Sequence, residues 1–266
     1  PAEVADGHPL AKQWKEMGHR YLAGTLGILL VVMAFLAFRH RKAPELAAGI
    51  VVLVVFQAAL GMWTVTLLLK PAIVTAHLLG GMTIFALLAW YNLLHRRHVP
   101  ASEARALRVP AAMALLAIAV QIALGGWVSA NYAALACPDL PLCRGQLVPP
   151  MDFGNAFHVV RELGQTAQGE LLTNEALTAI HWTHRVFALV ATAVAAWAAL
   201  RARAVLPTVS SEILVLLALQ VSLGIANVAF SLPLWLAAAH NAGAALLLLS
   251  VVVLNFFSFR GLRPSR

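Results

Sequence analysis

Long apolar stretches separated by short polar joints run along most of the chain. Seven of them are long enough to cross a membrane, since a transmembrane helix needs about 20 mostly apolar residues. They are residues 20–38, 47–69, 72–94, 111–131, 179–200, 212–231 and 233–258. The stretches lack the alternation of apolar and polar residues that is typical of transmembrane strands. The pattern predicts an all-α polytopic membrane protein with seven spans.

The composition agrees with a lipid environment. Of the 266 residues, 61% are hydrophobic and 11% are charged, and the mean hydropathy is +0.81. Soluble domains are about half apolar and about a quarter charged, so a soluble domain, a disordered tail and a disulfide-rich secreted scaffold are excluded. The net charge of +8 does not call for a nucleic acid partner, because membrane proteins concentrate excess lysine and arginine in cytoplasmic loops.

The distribution of basic residues predicts the orientation. If the loops 39–46, 95–110 and 201–211 and the tail 259–266 share one side, that side holds 12 of the 19 lysines and arginines. We therefore expect this side and the C-terminus to be cytoplasmic. The segment 1–18 and the longest loop, 132–178, then lie outside. A loop of this length is usually functional or disordered, and its proline, aromatic and cysteine content favours an ordered lid.

Two parts of the chain repeat each other in parallel order. The matching pairs are His19-Arg20 with His184-Arg185, Gln57-Ala-Ala-Leu60-Gly61 with Gln220-Val-Ser-Leu223-Gly224, and His77 with His240. From histidine to glutamine to histidine, the separations are 38 and 20 residues in the first half and 36 and 20 in the second. The repeat predicts an N-terminal half, 1–94, a cytoplasmic linker, 95–110, and a C-terminal half, 111–266.

The first half has fewer spans than the second. The stretch 111–131, with Gln121-Ile-Ala-Leu124-Gly125, has no counterpart in the first half. An outside N-terminus must also have been translocated, yet the chain opens with Pro1 and shows no signal sequence. Both observations lead us to expect a missing upstream segment, either a cleaved signal peptide or the first helix of a four-helix bundle.

The four repeated histidines are the main candidates for chemistry. His19, His77, His184 and His240 all lie at or near the outside ends of their predicted helices, and ionisable groups within a membrane are usually functional. Each half presents one histidine from each of two helices, which suits the two axial ligands of a haem iron in a helical bundle. Zinc or copper sites need more ligands than two histidines supply. Hydrogen bonding between helices is the simpler alternative.

Three charged residues stand close to these histidines. Arg20 and Arg185 each follow a histidine, and a guanidinium can bind a haem propionate with two hydrogen bonds. Interfacial arginines that only reach towards water are the alternative. Glu16 precedes His19 by three residues, so the two share a helix face. Glu16 could move protons or stabilise positive charge in a reaction, or it could be a solvated loop acid.

Cys137 and Cys143 both lie in the predicted outside loop, and the chain has no other cysteine. An oxidising compartment favours a disulfide between them. Free or redox-exchanging thiols are the alternative.

Taken together, these motifs resemble the haem A synthase family over nearly the whole chain. The matching segments are Glu16-Met-Gly-His19-Arg20, Ala76-His77-Leu-Leu-Gly80-Gly81, Ala136-Cys137-Pro-Asp-Leu-Pro-Leu-Cys143, Met151-Asp152-Phe153, His181-Trp-Thr-His184-Arg185 and Ala239-His240-Asn241. The resemblance implies two pseudo-symmetric four-helix bundles, the first lacking its first helix here, in a bacterial inner membrane protein.

The resemblance also implies an activity. Enzymes of the family oxidise the C8 methyl group of haem O to the formyl group of haem A by successive hydroxylations with oxygen derived from water. In this chain, His184 and His240 would ligate a resident haem b. His19 and His77 would bind or flank the substrate haem O, with Glu16 as the catalytic carboxylate. Haem O synthase would deliver the substrate, cytochrome oxidase would receive the product, and an unidentified acceptor would take the electrons.

Two other classes of protein remain open at this point. A b-type cytochrome with two bis-histidine haems would use the same ligands, but it would need haems near both membrane faces and has no role for Glu16. A transporter built from repeats would explain the duplication but not the histidines. Haem extraction would separate the three classes.

Overall fold

The computed structural model describes residues 9–265, which fall into two compact units, one up to Phe56 and one from Gln57 onwards. Residues 1–8, the start of the predicted N-terminal half, and Arg266 lie outside the described residues. The helices are α1 (Pro9–His40), α2 (Pro44–Thr66), α3 (Pro71–Leu94), α4 (Arg108–Ala130), the single-turn α5 (Phe153–Ala156), α6 (Asn174–Ala202), α7 (Pro207–Ala229) and α8 (Leu234–Arg260).

The described residues contain seven helices that are long and apolar enough to cross a membrane. They coincide with the seven predicted spans and confirm an all-α polytopic membrane protein. The boundaries differ most at α1, α6 and α7, which begin at Pro9, Asn174 and Pro207 rather than at residues 20, 179 and 212. Helical hydrogen bonding continues through polar turns that the apolar pattern does not detect.

Local sequence signals account for several helix ends. Helices α2, α3 and α7 begin with a proline, which lacks the N–H group that the first helical turn would leave without a partner. The N-cap of α6 is Thr173, whose hydroxyl accepts a hydrogen bond from Ala176 N at 3.3 Å. Helix α8 ends at Gly261, which adopts the left-handed conformation with a φ of 61°.

Helix α1 and the first part of α2, up to Phe56, belong to the first unit. Most of the large apolar side chains of α1 are exposed, as expected for a surface in contact with lipid. The rest of α2 belongs to the second unit.

Four helices of the second unit pack in a closed ring. Helix α4 contacts α6, α6 contacts α7, α7 contacts α8, and α8 returns to α4. This arrangement is the four-helix bundle predicted for the C-terminal half, and α3 packs beside it against α4 and α8. Small residues allow the close approach of α4 and α6: Ala114 and Ala195 are fully buried. Asn255 joins α8 to α4 by donating from Nδ2 to Ala111 O at 2.8 Å.

The predicted cytoplasmic linker is folded. Residues His98–Pro100 form strand β1, which pairs antiparallel with β2 (Leu262–Pro264) of the C-terminal tail, and Ser102–Leu107 form a 3₁₀ helix. The pairing links the linker to the end of α8, a contact between distant segments that local sequence patterns do not indicate.

The long loop between α4 and α6, residues 131–173, which was predicted to lie outside, is anchored by a buried arginine. Arg161 is 5% exposed and donates to Asn131 Oδ1 at 2.5 Å, to His158 O at 3.1 Å and to Gln165 O at 3.1 Å. Its guanidinium lies 5.6 Å from the centroid of the Trp127 ring. Burial lowers the pKa of Arg161 from its ordinary value. These contacts give the loop the ordered structure that its composition predicts.

Candidate haem-binding site

Two of the predicted histidine ligands occupy the four-helix bundle of the second unit. His184 lies in α6, ten residues after its first residue Asn174, and His240 lies in α8, six residues after Leu234. Both side chains are partly buried, and the two imidazoles are close enough to interact electrostatically. The structure therefore brings together the pair that the repeat predicts.

Each of these imidazoles packs against a glycine of a neighbouring helix. A Cβ atom built on Gly125 of α4 would lie 3.1 Å from His184 Cε1, and one on Gly224 of α7 would lie 3.3 Å from His240 Cε1. Contacts this short are rare for real Cβ atoms, so any residue with a side chain would push the ring. The glycines allow the rings to lie directly against the helix backbones.

The donor set fits a haem with two imidazole ligands. Among the described residues, no group of three or more histidine, cysteine, aspartate or glutamate side chains could form a metal cage. His240 Nδ1 is buried and has no hydrogen-bond partner in the described part of the chain. Two imidazoles on α6 and α8 of one bundle match the donor set of axial haem ligation. The assignment of His184 and His240 as iron ligands stays a prediction.

Arg185 donates hydrogen bonds to backbone carbonyls of the long loop. Its Nη1 donates to Asp139 O at 2.8 Å and to Leu142 O at 3.0 Å, and its Nη2 donates to Cys137 O. The guanidinium therefore binds three carbonyl groups around the cysteine loop. One N–H of Nη2 is not used in these bonds, so the predicted role at a haem propionate stays a prediction beside the observed role in the loop.

The predicted disulfide is present between Cys137 and Cys143, whose Cα atoms are 4.6 Å apart. Both cysteines are buried. Asp139 closes the segment by accepting from Arg144 N at 2.6 Å and from Gly145 N at 2.8 Å. The hydrogen bond from Gly145 N is the main reason that the pKa of Asp139 lies below its ordinary value of 3.8.

His181 connects this loop to the bundle, although it was named from the sequence only as part of the segment His181-Trp-Thr-His184-Arg185. It is 4% exposed, and its two ring nitrogens lie 3.3 Å from Cys137 N and 3.2 Å from Arg185 Nε. A neutral imidazole accepts at one ring nitrogen, so one of these contacts is a hydrogen bond and the other is a packing contact. The disulfide loop thus contacts His181 and Arg185, which lie on either side of His184 in the sequence.

Three of the predicted first-half residues lie on α1, in the first unit. Glu16, His19 and Arg20 are all exposed, and Arg20 Nη2 lies 2.8 Å from Glu16 Oε1 in an ion pair across one helical turn. Glu16 and His19 lie on one helix, as predicted. His77 lies on α3, in the second unit, and is partly buried. The roles of these four residues at the substrate stay predictions.

Sequence reasoning missed three glutamines, Gln57, Gln121 and Gln220, as candidate site residues. The sequence shows them as markers of the repeat, each four residues before a glycine. In the structure, the amide of each lies within hydrogen-bond distance of the backbone or ring of a histidine discussed above. Their recurrence was the available signal, but nothing local relates them to a histidine on another helix.

Comparison with known proteins supports the resemblance. Residues 8–252 match the family model COX15-CtaA, described as "Cytochrome oxidase assembly protein". A protein of Shewanella oneidensis named "Heme A synthase" is 42% identical over 252 residues, covering 92% of this chain and 76% of the relative. "Heme A synthase" of Methylobacterium radiotolerans is 30% identical, covering 85% of this chain and 63% of the relative.

The similarity extends across both halves of the chain. "Heme A synthase" of Methylobacterium sp. is also 30% identical, covering 88% of this chain and 67% of that relative. The chain thus spans about two thirds to three quarters of the length of these relatives. Because the family model matches most of the residues, including all four repeated histidines and both cysteines, the chain belongs to the COX15-CtaA family of cytochrome oxidase assembly proteins.

Proposed function

We propose that this chain is a haem A synthase, an integral membrane oxidoreductase that converts the C8 methyl group of haem O into the formyl group of haem A. The observation that carries the proposal is the pair His184 and His240, each packed against a glycine in one four-helix bundle of a chain that belongs to this family. Relatives of this chain have the name of this enzyme.

The chemistry balances with water as the source of oxygen. The methyl group loses two electrons and two protons as the oxygen of one water adds, which gives a hydroxymethyl group. A second oxidation of the same kind gives a hydrate that loses water to leave the formyl group. The whole conversion releases four protons and four electrons, so the site needs a proton acceptor and a route for electrons.

The second half provides the residues for the electron route. His184 and His240 would hold a haem b, which supplies one-electron transfer when bound. An electron acceptor that is not yet identified would receive the electrons. Arg185 would reach a propionate of this haem through the N–H that the loop carbonyls do not use.

The first half provides the residues for the substrate. His19 and His77 would bind or flank haem O, and Arg20 would pair with its propionates. The Glu16 carboxylate would accept a proton and stabilise positive charge that develops at the oxidised carbon, an interaction that is strong where the dielectric constant is low. The ion pair with Arg20 restricts the position of this carboxylate.

The proposed location is the bacterial cytoplasmic membrane. We infer a cytoplasmic C-terminus from the excess of arginine and lysine on that side, with the histidines and the disulfide loop towards the outside. Haem O synthase would supply the substrate through the membrane lipid, and cytochrome oxidase would receive the product. The proposal includes no nucleic acid partner.

Haem extraction tests the function. The chain is expressed in a bacterial host that makes haem O but has no haem A synthase of its own, and the extracted haems are separated and identified by mass spectrometry. We expect haem A together with a hydroxylated haem O. A purified protein that holds only haem B, in cells with unchanged haem O, would instead indicate the cytochrome. A protein without any haem would indicate the transporter.

A further inference from the structure

A glutamine and a glycine recur together at three helix contacts of the second unit. The three segments are Gln57-Ala-Ala-Leu60-Gly61 on α2, Gln121-Ile-Ala-Leu124-Gly125 on α4 and Gln220-Val-Ser-Leu223-Gly224 on α7. They contact His77 on α3, His184 on α6 and His240 on α8, in that order. One local arrangement is therefore built three times, each time around a histidine already predicted to bind or flank a haem.

The glycine of each segment makes room for the imidazole. A Cβ atom on Gly61 would lie 3.0 Å from His77 Cε1, and the corresponding distances for Gly125 and Gly224 are 3.1 and 3.3 Å. The same ring atom is the nearest neighbour in all three cases. The rings therefore have closely similar positions relative to the helix that carries the glycine.

The glutamine of each segment lies one helical turn before the glycine, and its amide reaches the same histidine. Gln121 Nε2 lies 3.2 Å from His184 Nδ1 and donates to His184 O at 3.2 Å. Gln220 Nε2 lies 3.3 Å from His240 Nε2. Gln57 Nε2 donates to His77 O at 2.5 Å. Each histidine thus contacts an amide and a glycine that lie one turn apart on the same neighbouring helix.

Further glycines leave space for two of the glutamines. Gly80 follows His77 by three residues and Gly243 follows His240 by three, and a Cβ atom on either would overlap the side-chain oxygen of Gln57 or Gln220. The three Oε1 atoms are buried and have no hydrogen-bond partner among the described residues. A buried carbonyl oxygen without a partner is destabilising, so an amide of this kind is an unusual choice for packing alone.

We propose that Gln121 and Gln220 are positioning residues for the haem ligands His184 and His240, and that Gln57, which donates to the backbone oxygen of His77, positions that residue at the substrate. The glutamine and the glycine together restrict rotation of the His184 and His240 imidazoles. A histidine that binds a metal usually donates its other ring N–H to an acceptor, here the side-chain oxygen of the glutamine once its amide turns towards the ring, and loss of that partner typically weakens metal binding about 10- to 100-fold. The inference rests on the proposed function, because it takes the histidines as haem ligands.

The experiment uses the purified full chain with its haem and compares Gln121→Leu and Gln220→Leu with the unsubstituted protein. Leucine has a similar size and removes the amide. We expect altered g values of the low-spin ferric haem in electron paramagnetic resonance spectra, since these depend on the orientation of the ligand rings. We also expect haem transfer to an excess of apomyoglobin to be about tenfold faster.

Two substitutions serve as controls. Ser222→Ala changes an exposed residue of α7 whose hydroxyl bonds to Ala218 O, and it should leave the spectrum and the rate of haem transfer unchanged. Gln57→Leu should also leave the haem b spectrum unchanged, while it lowers the yield of haem A. A common effect of all four substitutions on the haem b spectrum would overturn the proposal, because it would indicate a general loss of structure.

A second pair of variants tests the same idea if a leucine variant does not fold. Gly125→Ala and Gly224→Ala should displace the rings by a few tenths of an ångström and change the g values. The control Gly49→Ala should leave the g values unchanged, because no described atom lies within 4 Å of the added methyl group. If the unsubstituted protein holds no bis-histidine haem, the proposed function fails. If it holds one and the glutamine and glycine variants leave its spectrum unchanged, the positioning role alone is refuted.

Discussion

The substitution Arg185→Lys separates two roles of this arginine. In the structure, its guanidinium donates to the carbonyl oxygens of Cys137, Asp139 and Leu142. A lysine keeps the positive charge but has a single nitrogen, which can reach about one of the three carbonyls. At about 1–1.5 kcal/mol for each of the two bonds lost, opening of the disulfide loop should become easier by about 2–3 kcal/mol.

Hydrogen exchange measures this opening directly. Since about 1.4 kcal/mol corresponds to a factor of ten in an equilibrium constant, the amides of Cys137 and Arg144 should exchange about 30 to 140 times faster in the variant. The Arg144 amide donates to Asp139 Oδ1 within this loop, and the Cys137 amide lies 3.3 Å from His181 Nδ1 of α6. The matched control is Arg144→Lys, which changes an exposed side chain on the same loop.

The outcome distinguishes the loop from the haem propionate. If the carbonyl contacts dominate, exchange accelerates while the haem b absorption stays unchanged. Unchanged exchange together with loss of haem b would refute the reasoning and would show that Arg185 mainly serves the haem.

Other consequences can be measured separately. His184→Ala and His240→Ala should each abolish the low-spin haem b spectrum, and an intact spectrum in either would rule out that residue as a ligand. Glu16→Gln, which removes the charge but keeps the shape, should retain haem b and accumulate haem O with almost no haem A. The control Glu162→Gln, in the long loop, should make haem A normally. Equal amounts of haem A from both variants would contradict a catalytic role of Glu16. Because hydrogen bonds from the loop lower the pKa of Asp139, its ionised form stabilises the loop above pH 3.8, and this stabilisation is lost as the pH falls through the lowered pKa. Loop protection, corrected for intrinsic exchange, should therefore decrease between pH 5 and pH 3 in the unsubstituted protein and change less in Asp139→Asn.

Much of the fold follows from local patterns. The apolar stretches predict all seven spans, and prolines at the starts of α2, α3 and α7 mark where helices begin. A span is recognisable because every turn of it must suit lipid, whatever its neighbours are. The pairing of β1 with β2 was not predictable in this way, since each strand has only three residues and depends on a segment more than 160 residues away.

In the candidate site, too, the residue types could be predicted from the sequence, whereas their contacts could not. Repetition of the histidine motifs was sufficient to select His184 and His240, because rare polar residues stand out within apolar helices. The Cys137–Cys143 pair was selected because the chain has only these two cysteines and both lie in one loop. The partners of these residues required the packed structure. The sequence predicts Arg185 as a propionate ligand. Its distance to the loop carbonyls depends on how the chain folds, because those residues are 43 to 48 positions away in the sequence.

The identity of the spans, the repeat and the candidate ligands was thus contained in the order of residues, because each depends on a residue's type and its spacing along one helix. The contacts of Gln121 and Gln220 with the histidine rings, the burial of His181 beneath the disulfide loop and the capture of Arg185 by loop carbonyls were decided only by tertiary packing. These contacts join different segments, and their geometry results from the simultaneous fit of several helices and a loop rather than from any local pattern.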